Sequence, residues 1–272
     1  MNRSVILAVL VLIATASPLR AATSVRALLQ QARSHSAAGK PAAALDLLAE
    51  ARTLAPNSED VLSAYAQVAL AAQLPLQAID VLEPLTRICR DVALYHHLLG
   101  VAYLQIGGME QASAALEAAD RLEPNRTTTL VALGLALNRR KLFAEAEPLL
   151  RRALASEPEN ADVLATLAET EDALGDAAQA EQHASRALAA AADHGTAHFV
   201  IGVIRMKQAR YAEARDALLR AIAAQPDMAR AHYQLSLAFA RLGDEARAAA
   251  HVEIYQQKLR DTEAALKKVR RQ

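Results

Sequence analysis

The chain has 272 residues, a formal net charge of zero and one cysteine, Cys89. Without a net charge there is no global field to attract nucleic acid, and one thiol can build neither an intramolecular disulfide nor a cysteine metal cluster. Hydrophobic residues make up 53% of the chain and aromatics 3%, with no Trp and only nine Gly and nine Pro. Much of the apolar share is Ala, the strongest helix former, so the composition predicts an all-α protein.

The N-terminus reads as an export signal. Met1-Asn2-Arg3 is a short basic stretch, Val5 to Ala16 is uncharged and rich in Leu, Val and Ile, and Pro18 follows. The run is too short to span a bilayer comfortably and has signal-peptide length. Ala14-Thr15-Ala16 and Leu19-Arg20-Ala21 offer small residues for cleavage near 16 or 21. No cysteine follows the apolar run, which argues against a lipoprotein anchor. The expectation is a signal peptide over 1–21 and an exported, periplasmic chain without stable membrane insertion once the signal is removed. The alternative is an uncleaved signal that anchors it in the inner membrane.

From residue 25 onward the sequence repeats. Pro56, Pro124, Pro158 and Pro226 fall on one 34-residue ruler, interrupted by Arg90 and Ala192. Self-similarity at that period indicates stacked two-helix units. The units start at Val25, Glu59, Ala93, Thr127, Ala161, Gly195 and Ala229. One slot is Ala in all seven: Ala44, Ala78, Ala112, Ala146, Ala180, Ala214 and Ala248. Four residues later stand Leu48, Leu82, Leu116, Leu150, Ala184, Leu218 and Val252, and three further Ala51, Leu85, Ala119, Ala153, Ala187, Ala221 and Tyr255. Positions i, i+4 and i+7 share one helix face. Leu99-Gly100, Leu133-Gly134 and Ile201-Gly202 mark a second ladder on the first helix of each unit. Gly39, Gly107-Gly108, Gly175 and Gly243 mark turns between the helices, and Pro41 and Pro75 open second helices. Pro84 and Pro148 fall inside second helices, where local bends are expected.

This pattern resembles the tetratricopeptide repeat family over about residues 25–262: a small residue after Leu, a fixed Ala, then Leu or Phe, Ala and Pro. The resemblance implies a right-handed solenoid of about seven antiparallel helix pairs. It departs from the family in the bulky Trp slot, which holds Leu28, Leu62, His96, Leu130, Leu164, His198 and His232. Unit one has Gln31-Ala32 without the glycine, and unit five has Glu171 in place of Tyr and Ala192 in place of Pro. Residues 244–272 read as a charged capping helix with a basic tail: Lys258, Arg260, Lys267, Lys268, Arg270 and Arg271 against Asp261 and Glu263 give a net +4.

No catalytic constellation emerges. His96, His198 and His232 share one repeat slot and read as flat rings in the seam between helices. His194 and His198 have i, i+4 spacing, but a repeat boundary separates them. HExxH, a phosphate loop with GK[ST] and a G-x-S-x-G elbow are all absent from the sequence. No catalytic residue, metal site or cofactor is assigned.

Ligands of the family usually use the concave wall lined by the first helices. The matching positions here are Leu94, His97, Val101 and Leu104 in unit three and Thr128, Val131, Leu135, Asn138 and Arg139 in unit four. Units six and seven add Phe199, Val203, Met206 and Lys207, then Tyr233 and Arg241. Unit five contributes carboxylates, among them Glu169 and Asp172. The wall reads as apolar along its middle, with Arg139, Lys207 and Arg241 on its rim, or else as buried by tight superhelical closure. The expected function is a non-enzymatic adaptor that holds a peptide or helix of a cell-envelope protein partner. The alternatives are a regulatory or assembly subunit of a multiprotein envelope enzyme or secretion or polysaccharide machine, and a self-assembling homo-oligomer. Nucleic acid is not expected as a partner.

Overall fold

A computed structural model describes residues 24–269. The signal-peptide reading over 1–21, and Arg270 and Arg271 of the basic tail, lie outside the described residues. All regular structure among the described residues is helical. Helix α1 spans 24–37. It is followed by α2 (Pro41–Leu54), α3 (Glu59–Ala71), α4 (Pro75–Ile88), α5 (Ala93–Gln105), α6 (Met109–Leu122) and α7 (Thr127–Arg139). Then come α8 (Phe143–Ser156), α9 (Ala161–Leu174), α10 (Ala177–Ala190), α11 (Gly195–Lys207), α12 (Tyr211–Ala224), α13 (Ala229–Arg241) and α14 (Glu245–Val269). The odd-numbered helices from α3 to α13 each begin 34 residues after the previous one.

The turns that separate odd from even helices share one backbone solution. Gly39, Gln73, Gly107, Lys141, Gly175, Ala209 and Gly243 all have φ between +57° and +98°, and they too are 34 residues apart. In each turn the next N–H returns to the carbonyl five residues back, from Lys40 to His35 through Asp244 to Phe239, at 2.8–3.0 Å. This left-handed closure satisfies carbonyls that a helix end otherwise leaves orphaned. Glycine takes the conformation freely, whereas Gln73, Lys141 and Ala209 adopt it against the steric preference of an L-residue.

Side chains cap some of the other helix ends. Asn160 Oδ1 accepts from Asp162 N at 3.0 Å and Val163 N at 3.2 Å at the start of α9. Pro41 and Pro75 occupy first-turn positions, where the missing N–H costs nothing. Helices α4 and α8 run through Pro84 and Pro148. Around Pro84, Thr86 Oγ1 donates to Leu82 O at 3.0 Å and Arg87 Nε to Glu83 O at 3.2 Å.

The chain divides into two compact units, one ending at Ala102 and the other beginning at Tyr103, so the division falls inside α5. In the first unit α2 packs on α3 and α3 on α4. Tyr95 donates its hydroxyl to Glu59 Oε1 at 2.6 Å there, tying α5 to α3. In the second unit each helix from α6 to α14 packs on the next. In addition α7 approaches α9, α9 approaches α11 and α11 approaches α13, a relation that α8, α10 and α12 do not share among the described residues. Closer spacing in the odd-numbered layer curves the second unit, with α7, α9, α11 and α13 on the inside.

The repeated Ala slot explains the packing. Ala44, Ala78, Ala112, Ala146, Ala180 and Ala214 are completely buried, as are the residues four later from Leu48 to Leu218. On the opposing helix a methyl added to Gly134 would lie 2.7 Å from Leu150 Cδ2, and one added to Gly202 would lie 2.7 Å from Leu218 Cγ. The small residue of the first helix is therefore the socket for the Leu of the second. In unit five both members shrink together, to Ala168 and Ala184, and both stay buried.

Candidate functional site

The inner layer of the second unit carries most of the side chains selected from sequence. On α7, Thr128 is exposed, and Val131 and Leu135 are half-buried. Asn138 is buried: its Nδ2 donates to Thr166 O at 3.3 Å, and its Oδ1 accepts from Thr170 Oγ1 at 3.0 Å. That amide is occupied in tying α7 to α9. On α11, Phe199 is 7% exposed and belongs to a core cluster with Val200, Ile204 and Leu235, against which Val203 and Met206 pack. On α13, Tyr233 is 43% and Leu237 38% exposed, and Arg241 is exposed. Leu94, His97 and Val101 belong to the first unit and Leu104 to the second; all four are half-buried.

The charges on this wall are largely paired. Arg139 Nη1 reaches Glu169 Oε1 at 2.6 Å, and Arg230 Nη1 contacts the same oxygen. Lys207 Nζ meets Asp172 Oδ1 at 2.7 Å. Two expected rim cations thus neutralise the carboxylates of unit five. Burial opposes ionisation of Glu169, but Arg230 and Arg139 together outweigh it and hold its carboxyl below the usual range. Arg230 is pulled down to about 10, mainly by burial and further by Arg139, with Glu169 opposing. Its guanidinium lies over the Phe199 ring, 4.1 Å from the centroid. Its Nε and Nη2 atoms are buried and make no hydrogen bond, so the cation–π contact is the interaction that offsets part of the charge burial. Glu169 and Arg230 are 61 residues apart. The sequence places Glu169 on the inner wall, but does not show that the curvature of α9, α11 and α13 brings Arg230 to it.

The histidines turn to structural partners. His96 Nε2 lies 2.9 Å from Arg90 O, His198 Nε2 2.9 Å from Ala192 O and His232 Nε2 3.4 Å from Pro226 O. In all three the ring reaches the carbonyl six residues back, at the slot of the proline ladder. His194 sits outside α11 as its N-cap: Nδ1 accepts from Ala197 N at 3.2 Å and Nε2 lies 3.0 Å from Asp162 Oδ1. Glu171 is buried, with His183 Nδ1 at 2.7 Å; burial pushes its carboxyl up, and His183 and Arg151 pull against that. Burial and the neighbouring Glu59 carboxylate push the Cys89 thiol up, the opposite of what a nucleophilic thiolate needs. Among the described residues no group of three His, Cys, Asp or Glu side chains could hold a metal ion. No helix among them is long and apolar enough to cross a membrane.

One recess was not anticipated. A cleft of about 390 Å³ in the first unit lies between α1 and α3, lined by residues including Arg33, Ser36, Asp60, Ser63 and Gln67. None of the groove residues selected from sequence lines it.

Helix hairpins at a fixed 34-residue interval, closed by the same left-handed turn, define a helical repeat protein. Two models of the tetratricopeptide repeat match the chain, one at residues 35–100 and 138–199, the other at 97–161 and 199–265. The chain belongs to the tetratricopeptide repeat family. No curated protein matches it in sequence. Solved structures share the fold. A tetratricopeptide repeat protein from Parabacteroides merdae superposes with a TM-score of 0.71 at 13% identity, covering 89% of this chain and 99% of that one. The APC/C hetero-tetramer Cut9-Hcn1 gives 0.63 at 18% identity over 78% of this chain, which spans 42% of that chain. A thermophilic tetratricopeptide repeat protein of Thermus thermophilus gives 0.50 at 23% identity, covering 72% of this chain and 99% of that one.

Proposed function

We propose that the protein is a non-catalytic adaptor of the cell envelope, and that the inner wall of its second unit holds a helix or extended peptide of a protein partner. Membership of the tetratricopeptide repeat family supports a protein–protein interaction scaffold in general. The observation that carries the finer reading is the exposed apolar pair Tyr233 and Leu237 on α13. It lies on the layer where Phe199 and Leu235 are already buried and Val131, Leu135, Val203 and Met206 are half-buried. An exposed apolar surface beside a buried, internally paired charge network suits the apolar face of an amphipathic segment. In this reading Val131, Leu135, Val203 and Met206 flank the bound segment. The Arg139–Glu169–Arg230 network holds α7, α9 and α13 at fixed spacing, so the wall is preorganised and binding costs less ordering.

A photoreactive amino acid at Tyr233 of the full chain, set against one at Leu219 on α12, tests this reading. Leu219 is equally exposed, at 43%, but lies on an outer-layer helix. The expected result is a discrete envelope protein crosslinked from position 233 and not from 219, lost when Leu237 is replaced by Asp. Equal crosslinking from both positions would refute the assignment of the wall.

A further inference from the structure

The end of α14 carries a contact that the repeat pattern does not require. Helix α14 pairs with α13 as far as Lys258, whose Nζ holds Asp227 Oδ1 at 2.7 Å, just ahead of the first residue of α13. Leu259, Arg260 and Asp261 are then exposed. The half-buried face of His251, Tyr255 and Lys258 continues past them as Thr262, Ala265, Leu266 and Val269. These are positions i, i+3, i+4 and i+7, a single helical stripe. A contact with this stripe comes from the turn between α5 and α6. A methyl added to Gly107 would lie 2.4 Å from Thr262 Cγ2, and one added to Gly108 would lie 3.3 Å from Leu266 Cδ2 and 3.0 Å from Tyr103 Cδ1.

The two glycines have different causes. Gly107 occupies the left-handed turn position, with φ +78°. Gly108 has φ −81° and no conformational need of glycine. The same slot in the other six turns holds Lys40, Leu74, Leu142, Asp176, Arg210 and Asp244. The missing side chain at 108 is accounted for by what crowds it, Tyr103 on one side and Leu266 on the other.

We propose that residues 258–269 form an intramolecular strap, and that the Tyr103–Gly107–Gly108 turn is a helix-docking surface whose resident occupant is the chain's own C-terminal helix. The strap closes the second unit by joining its last helix to its first turn. The docked stripe rests on a few side chains of that turn, Tyr103 among them. The strap turns Arg260, Lys267 and Lys268 outward. This inference does not depend on the inner-wall reading, since it concerns a different surface.

The test is a distance measurement on the full chain carrying Cys89→Ser, with spin labels at exposed positions Glu110→Cys on α6 and Ala264→Cys on α14. A docked strap gives one narrow distance. Leu266→Asp and, separately, Gly108→Gln are expected to abolish the narrow peak and shift the distribution to longer distances. Lys267→Asp, on the exposed side, is expected to leave it intact. A second label pair at exposed Glu145 and Gln182 monitors the solenoid and stays narrow in every variant if the strap alone has moved. A broad distribution in the parent chain, or a narrow peak that survives both Leu266→Asp and Gly108→Gln, overturns the proposal. Loss of the narrow peak only together with the 145–182 peak assigns Leu266 to the core and overturns it as well.

Discussion

Arg230 of α13 stacks on Phe199 of α11, with its guanidinium carbon 4.1 Å from the ring centroid, and the same guanidinium reaches back to Glu169 of α9. One carboxylate therefore faces two guanidiniums, those of Arg139 and Arg230, at a site where its own side chain is 13% exposed. Replacing Glu169 with Gln leaves two positive charges facing each other without their counter-ion. Breaking a buried ion network from one side costs about 3–5 kcal/mol. We expect Glu169→Gln to lower the unfolding free energy by about 3 kcal/mol in urea titration, at the lower end of that range. The triple change Arg139→Met, Glu169→Leu, Arg230→Met should stay near wild type, because it removes the uncompensated charge along with the pair. The pH dependence follows from the sign of the shift. The carboxyl of Glu169 is held below its ordinary value, so its stabilisation is present above the unfolded carboxylate pKa and is lost as pH falls through the lower folded value. The Gln variant should lack that acidic limb. Equal loss of stability with acid in both proteins would contradict the assignment.

This network marks the limit of what the sequence discloses. The 34-residue registers make the helix boundaries legible, because packing and turn closure are local and recur in every unit. The Ala ladder survives at units two and five, where Arg90 and Ala192 replace the proline. The conformation of the hairpin turns is half legible. Four glycines announce it, but Gln73, Lys141 and Ala209 hide it, since their positive φ is imposed by the hairpin and not by their chemistry. The charge pairing is not legible, because Arg230 meets Glu169 through the curvature of three layered helices, a sum of small inter-repeat rotations that no single motif encodes. The same holds for Gly108, which reads as half of a flexible Gly-Gly turn until α14 is seen approaching it.

The socket of the repeat gives a prediction whose sign depends on background. Leu150 fills the space that a side chain on Gly134 would occupy. Helix propensity favours Ala over Gly by about 1 kcal/mol, but overpacking a filled core costs about 1–3 kcal/mol. In unit two Ala66 and Leu82 occupy the same slots and are both completely buried, so a methyl can be absorbed with some adjustment, and the cost belongs toward the lower end. Gly134→Ala should therefore destabilise the wild type modestly. In a Leu150→Ala background, itself destabilised by about 2–5 kcal/mol, the same substitution should stabilise by about 1 kcal/mol. That background recreates the Ala168–Ala184 pairing of unit five. A double-mutant cycle by chemical denaturation reads the coupling directly, and additive effects would show that the two residues do not share the space.

The last hairpin contains a proton-sensitive pair. His232 Nδ1 and His251 Nδ1 are 3.0 Å apart. With both rings neutral, the proton on His232 Nε2 points to Pro226 O, its Nδ1 accepts, and the proton on His251 Nδ1 donates. One added proton still leaves a donor facing an acceptor across the pair, whereas protonating both rings turns donor against donor. Burial chiefly keeps both imidazoles below their usual range; Lys258 adds to this at His232, where the Pro226 carbonyl and Asp227 oppose it, and His232 adds to it at His251. The stacked Phe239 ring, 5.7 Å from His251, offers no counter-charge. A histidine whose folded pKa is depressed contributes stability that is present above the unfolded value, about 6.5, and is lost as pH falls below it. Thermal unfolding of the wild-type chain should therefore show a lower midpoint at about pH 5 than at about pH 8, on either side of that value. His251→Phe keeps the stack on Phe239 while removing one titrating ring, and relieves His232 of its neighbour's charge. The midpoint difference between the two pH values should shrink in that variant, and an unchanged difference would place the acid sensitivity elsewhere in the chain.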